Sequence, residues 1–174
     1  MESPQVKHGE GEVSIRPAKK TDSAAIGEIL EPVIRAGETY PLPREMNEAD
    51  ALAFWMAKGH DTFVAEDPHG RMLGTYFLRA NQSGEGAHVA NCGYVTATWA
   101  AGRGVARRMC AHSLEHAKAR GFRSMQFNFV VSTNERALRL WESLGFRIVG
   151  RLPGAFQHPK LGFVDALVMY RHLG

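Results

Sequence analysis

An α/β (α+β) fold is predicted, a mixed central sheet of about six to seven strands flanked by about four helices. Three observations in the 174-residue chain predict it. Runs rich in β-branched and aromatic residues alternate with runs of helical period, in the order strand, two helices, three strands, helix, strand, helix, two strands. A glycine-rich turn, Gly102–Gly104, separates a central strand run from a central helical run. The composition, 44% hydrophobic and 22% charged, is that of an ordinary globular domain.

Each element has its own local reason. Residues 1–11 are polar, without the apolar core of an export signal, and read as a flexible tail before one domain over residues 12–174. Val13–Ala18 is a short strand closed by Pro17. From Thr21, an N-cap candidate, Ile26, Ile29, Leu30, Val33 and Ile34 recur at helical spacing up to Gly37, with Pro32 expected to kink or end the helix. Asn47 caps a second helix predicted to run to about Lys58. Asp61–Glu66 and Arg71–Ala80 are strands around a turn in which Asp67 is a turn residue. His88–Ala97 is a strand in which Gly93 signals a bulge or a close backbone approach. Val105–Arg120 is a helix ended by Gly121, Arg123–Val131 a strand, and Asn134–Leu144 a helix ended by Gly145. Phe146–Leu152 and Phe163–Leu173 are strands, and the Pro- and Gly-bearing stretch Pro153–Gly162 between them is read as a loop.

Composition narrows the function classes. A net charge of +3 is too mild for a nucleic-acid binder, and no run approaches the ~20 apolar residues of a membrane span. Two cysteines, Cys92 and Cys110, lack metal-type spacing, so a reducing cytoplasm and no metal are expected. His112 and His116 fit H-x-x-E-H, but a short motif on one helix without a third ligand reads as an ordinary helix face. Cys92, in a strand, reads as a small buried hydrophobe rather than an acyl-carrying nucleophile.

Thr98–Met109, TWAAGRGVARRM, carries the chemistry. Bare amides at a helix start, ringed by Arg103, Arg107 and Arg108, suit a phosphate. The chain has no G-x-x-x-x-G-K-[ST] string, and Arg107 stands where a dinucleotide fingerprint needs glycine or alanine.

AGRGVA (Ala101–Ala106) resembles the acetyl-CoA loop [RQ]-x-x-G-x-[GA] of the GCN5-related N-acetyltransferases. Gly104 and Ala106 match it, while Ala101 replaces the usual arginine or glutamine. NERALRLWESLGF resembles the second signature of that family, matching at Asn134, Ala137, Leu140, Gly145 and Phe146. The resemblance implies a splay between the two central strands and acetyl-CoA as cosubstrate. Its pyrophosphate is expected on the amides of Gly102, Arg103, Gly104, Val105, Ala106 and Arg107, and its pantetheine arm along Tyr94, Val95 and Thr96. Asn134, Ala137 and Trp141 complete the expected cofactor contacts. Trp141 stands where the family usually has a tyrosine acid, and an indole supplies no proton.

A narrower resemblance is to the fungal acetyltransferases of azetidine-2-carboxylate and other proline analogues. Asn91, Asn128 and Asn134 look like the three asparagines of that group's active site, which implies a small amino or imino acid acceptor and a homodimer. Asn134 also suits a helix N-cap, and Asn128, amid MQFNFVV, needs polar partners. The chemistry requires a neutral amine. At pKa near 10.4 only about one molecule in 2,500 is neutral at pH 7, a cost of about 4.6 kcal/mol. Glu38, Glu66, Asp67 and His88 are weighed as bases, and a water held by Asn91 and Asn128 is preferred, with Glu38 next. Glu38 and Tyr40, in the loop Gly37–Pro43, are expected to shape the acceptor pocket. Phosphinothricin-like acceptors, polyamines, protein N-termini and a non-catalytic acyl-CoA-binding module are the alternatives.

Overall fold

The structure, a computed structural model, describes residues 12–174. The tail expected over residues 1–11 lies outside the described residues. The strands are β1 (Ser14–Pro17), β2 (Asp61–Glu66), β3 (Met72–Ala80), β4 (Val89–Thr96), β5 (Ser124–Val131), β6 (Arg147–His158) and β7 (Gly162–His172). The helices are α1 (Ser23–Ala36), α2 (Glu48–Trp55), α3 (Val105–Ala119) and α4 (Glu135–Ser143). One seven-stranded sheet has the order β1-β2-β3-β4-β5-β7-β6. Every neighbouring pair is antiparallel except β4 and β5, which run parallel.

That exception positions the site. β4 and β5 pair only at Val89–Ser124 and Ala90–Met125, and then diverge. From Asn91 to Thr96, β4 stays bonded to β3 on one side and leaves its other edge open. The expected splay is therefore present. The core forms where helices cover the sheet, with Ile26 and Ile29 of α1, Trp55 of α2 and Met109 of α3 all buried.

Several boundaries differ from the sequence reading. Pro32 neither ends nor splits α1, which runs unbroken to Ala36. Burial of Ile26, Ile29 and Leu30 before it and Ile34 after it carries the helix through the missing N–H. Asp22, not Thr21, is the α1 N-cap, and its carboxylate accepts from the Lys19 amide (2.6 Å) and from Arg16 (2.8 and 3.0 Å). α2 stops at Trp55 because that residue's carbonyl is engaged by His60 Nδ1 and the Thr62 hydroxyl (both 3.1 Å). Gly93 makes no bulge, since β3 and β4 keep register through the Phe77–Gly93 pair. Pro153–Gly162 is not all loop, because β6 continues to His158. Pro153, which has no N–H to donate, sits in an irregularity on this edge strand, and the Gly154 amide instead donates to Asp165 Oδ1 (2.9 Å).

Arg16 joins Asp22 to Glu66 (2.5 Å), and its hydrogen bonds hold the Asp22 carboxyl below its ordinary range. A depressed folded-state pKa stabilises above the unfolded value, near 3.9, and that contribution is lost as pH falls through the folded one. Arg16→Leu should therefore flatten the loss of stability between about pH 5 and pH 2, by about 1 kcal/mol after solvent screening. Urea unfolding across that range checks it.

Candidate active site

The parting of β4 from β5 opens a cavity of ≈ 780 Å³. One end reaches the start of α3. There Gly102 (φ 79) and Gly104 (φ 73) adopt the left-handed conformation, and a Cβ on either would meet nothing within 4 Å. These glycines are thus required by backbone conformation and not by crowding. No side chain caps Gly104, so the first amides of α3 point out without intrahelical acceptors.

The walls come from β4, β5, α4 and the loop after α1. Tyr40 reaches across β4 and donates from its hydroxyl to the Tyr94 carbonyl (3.1 Å), with its ring edge-on to Trp55. A Cβ at Gly93 would stand 2.9 Å from that hydroxyl and 2.6 Å from the Phe77 ring, so this position demands glycine by close approach. Trp141 packs against Tyr94 and Phe127 and borders the cavity. The Tyr94 hydroxyl, paired with Ser113 Oγ (2.7 Å), is held well above its usual pKa by burial, and burial likewise pushes the Cys92 thiol far up. Cys92 is therefore a protonated, buried thiol at neutral pH.

At the other end an amide chain bridges the diverging strands. Asn91 Nδ2 donates to the Gln126 carbonyl (2.9 Å). Gln126 Nε2 donates to Asn128 Oδ1 (2.9 Å), and Asn128 Nδ2 donates to Asn81 Oδ1 (2.7 Å). A register shift between Phe127 and Val130 takes Asn128 out of the ladder with β7. Asn134 caps α4 by accepting from the Ala137 amide (3.3 Å) and also borders the cavity.

Most of the residues singled out in the sequence meet around this one space. Tyr40, Asn91, Asn128, Asn134, Ala137 and Trp141 line it. So do Tyr94, Val95 and Thr96 on β4, and Gly102, Gly104, Val105, Ala106 and Arg107 at the turn. Arg107 also donates to Ser143 Oγ of α4 (2.8 Å). Arg103 is exposed beside the lining, and Glu38 is outside it, with its carboxylate on Lys160 Nζ (2.6 Å) and below its usual pKa for that reason. Of the other weighed bases, Glu66 is held by Arg16, Asp67 accepts the turn amides of His69 and Arg71 (both 2.9 Å), and His88 Nδ1 contacts the Glu85 carbonyl. His112 Nδ1 meets the Tyr76 hydroxyl (2.7 Å), and His116 Nε2 meets Asp61 (2.9 Å).

A tapered cleft of this kind, with a bare helix start at one end and an open strand edge along its length, suits a long phosphate-bearing thioester. The sequence matches the Acetyltransferase (GNAT) family over residues 29–146. The chain belongs to that GNAT family. As a GNAT protein it is an acetyl-CoA-dependent N-acetyltransferase. It is 29% identical over 160 residues to N-acetyltransferase aca1 of Schizosaccharomyces pombe, covering 80% of this chain and 74% of that one. A GCN5-related N-acetyltransferase from Kribbella flavida superposes with a TM-score of 0.88 at 40% identity, covering 92% of this chain and 97% of that one. A phosphinothricin acetyltransferase from Sinorhizobium meliloti, solved with acetyl-CoA, has a TM-score of 0.81 at 22% identity, with 93% and 89% covered. That likeness is one of fold. No helix among the described residues of this GNAT chain is long and apolar enough to cross a membrane.

Two arginines of the GNAT cleft escaped the sequence reading, Arg79 on β3 and Arg136 on α4. Arg79 had a signal, a cation closing the apolar run MLGTYFL. The partners of Asn128 had none, because Asn81 lies 47 positions away in the chain.

Proposed function

We propose that the protein moves the acetyl group of acetyl-CoA directly to the amine of a small amino or imino acid in the cytoplasm. One observation carries this reading. The bare α3 start borders the same cleft as Asn91 and Asn128, which Gln126 and Asn81 hold from behind in one amide chain, and the two ends are about 17 Å apart along β4 from Thr96 to Asn91. In this reading the amides of Gly102 and of Gly104 to Arg107 hold the pyrophosphate, with Arg103, whose own amide donates to the Ala100 carbonyl (3.3 Å), and Arg107 as side-chain donors. The pantetheine arm follows the open edge at Tyr94, Val95 and Thr96, past Asn134, Ala137 and Trp141. Asn91 and Asn128 hold the acceptor and the water that takes its proton. Tyr40 walls the acceptor, and the ion-paired Glu38 stays at its rim.

Calorimetry with CoA tests the cosubstrate, and thiol release with an amine panel tests transfer. No binding at millimolar CoA would sink the reading. Asn128→Ala should lower kcat/KM for transfer at least about tenfold, since one oriented donor is worth ~2.7–4 kcal/mol at best, and should leave CoA affinity within about twofold. No Asp, Glu or His borders the cavity among the described residues. With water as proton acceptor, kcat/KM should climb about tenfold per pH unit from about pH 6 to 8.5, following the acceptor's own amine. A plateau beginning near pH 6.5 would reveal a protein base instead.

The homodimer is part of the same proposal. β6 is a sheet edge, Ile148, Val149 and Leu152 are exposed on it, and Leu161 and Phe163 (75% exposed) extend the apolar surface at the hairpin end. Val149→Asp combined with Phe163→Asp should halve the mass seen by light scattering.

A further inference from the structure

The amide-lined end of the cleft contains an unanswered cation. Arg79 stands directly across from Asn91 in the β3–β4 register, and antiparallel partners present their side chains to one face. It borders the cavity, and its Nε is buried with no hydrogen-bond partner. Among the described residues the Arg79 guanidinium makes no ion pair, whereas Arg16 at the far edge of the sheet is matched by two carboxylates. The cavity as a whole is one-signed. Its charged lining residues are Arg79, Arg107 and Arg136, with no acidic residue among the described lining. Arg107 and Ala106 lie at the α3 end, and Arg136 follows the Asn134 cap of α4. Arg79 is about 17 Å from Thr96 along the strands, away from the α3 start that carries Arg107 and across from Asn91. The nearby His60 ring, stacked on Phe77, has its pKa lowered by burial first and by the Arg79 charge as well, and an imidazole carries no negative charge in either protonation state.

Arg79 is half-buried, and its shielded Nε is left without the acceptor that water would otherwise supply, while the planar donors of a guanidinium match a carboxylate two at a time. We infer that Arg79 is the specificity-determining residue of the acceptor site and binds a carboxylate, or an oxyanion of like shape, carried next to the acceptor amine. This rests on the acetyltransferase reading above and narrows it. Acceptors with a free carboxylate fit, whereas polyamines bring cations to a cationic wall, and the N-termini of longer peptides have an amide where the anion belongs.

The test uses matched acceptors, L-proline against L-prolinamide and L-azetidine-2-carboxylate against its amide, with wild type, Arg79→Met and Arg79→Lys. In wild type the carboxylate member should be preferred at least 30-fold in kcat/KM. Arg79→Met should bring that ratio within threefold of unity while acetyl-CoA affinity stays within twofold, and Arg79→Lys should recover part of it, because it keeps the charge and loses the fork. Binding supplies a readout independent of turnover. CoA-loaded wild type should bind N-acetyl-L-proline at least tenfold more tightly than N-acetylprolinamide, and Arg79→Met should not discriminate. Equal use of acid and amide by wild type, faster transfer to spermidine than to any acid, equal binding of the two products, or an acid preference that survives Arg79→Met would each overturn the inference. Any of these with CoA binding intact leaves the acetyltransferase reading standing, whereas loss of CoA binding in wild type defeats both.

Discussion

Gly104→Val will weaken acetyl-CoA binding by at least about 100-fold while the protein without ligand still folds. The φ of 73° at Gly104 belongs to a region that L-residues enter at a cost of roughly 1–2 kcal/mol, and β-branched residues suffer most. A Cβ there meets no atom within 4 Å, so no clash forces the core to move. The strain is relieved most cheaply by turning the backbone at the helix entrance. That rotation swings the amides of Val105 and Ala106 away from a common focus, and the anion loses several donors at once. Gly104→Ala should show the same effect in smaller degree. Calorimetry with CoA and a melting curve of each variant make the comparison. Unchanged affinity in the valine variant would show that the pyrophosphate lies elsewhere.

Gly93→Val should be the most damaging single change to the walls. A Cβ there would stand 2.6 Å from Phe77 Cε1 and 2.9 Å from the Tyr40 hydroxyl. Phe77 cannot swing aside, because it is held between Trp55 at 4.9 Å and His60 at 4.4 Å. Overpacking of this kind costs roughly 1–3 kcal/mol. The melting temperature should fall by roughly 2–12 °C, at ~2–4 °C per kcal/mol for a chain of this size. The Tyr40–Tyr94 bond should break with it, and transfer should drop at least about tenfold. Calorimetric melting and steady-state kinetics on Gly93→Ala and Gly93→Val check both parts. An alanine variant as stable as wild type would show that Tyr40 and Phe77 yield more easily than their packing implies.

These two glycines show how much could be read in advance. Gly104 was legible because a glycine ahead of a helical run announces both a turn and a bare helix start. Gly93 announced an anomaly, but whether bulge or contact depended on Tyr40, which arrives from a loop 53 positions earlier. Asn134 was readable as a cap, since that bond spans three residues. α1 ends at Gly37 as its sequence predicts, but the break expected at Pro32 and the expected end of α2 fail for a shared reason. Tertiary burial carried α1 past Pro32, and tertiary hydrogen bonds from His60 and Thr62 stopped α2 at Trp55. The continuation of β6 past Pro153 likewise depends on Asp165, supplied by the neighbouring strand.

The order of elements, the glycine turn with its free amides and the two signature blocks are properties of short stretches of chain. Period, φ preference and capping act over a few residues, so they are present in the linear text. The depth of the cleft, the company of Asn128, the exile of Glu38 to Lys160 and the unanswered charge of Arg79 arise between segments far apart in the chain. They exist only after β4 and β5 part, because burial and charge pairing depend on what the rest of the molecule brings alongside.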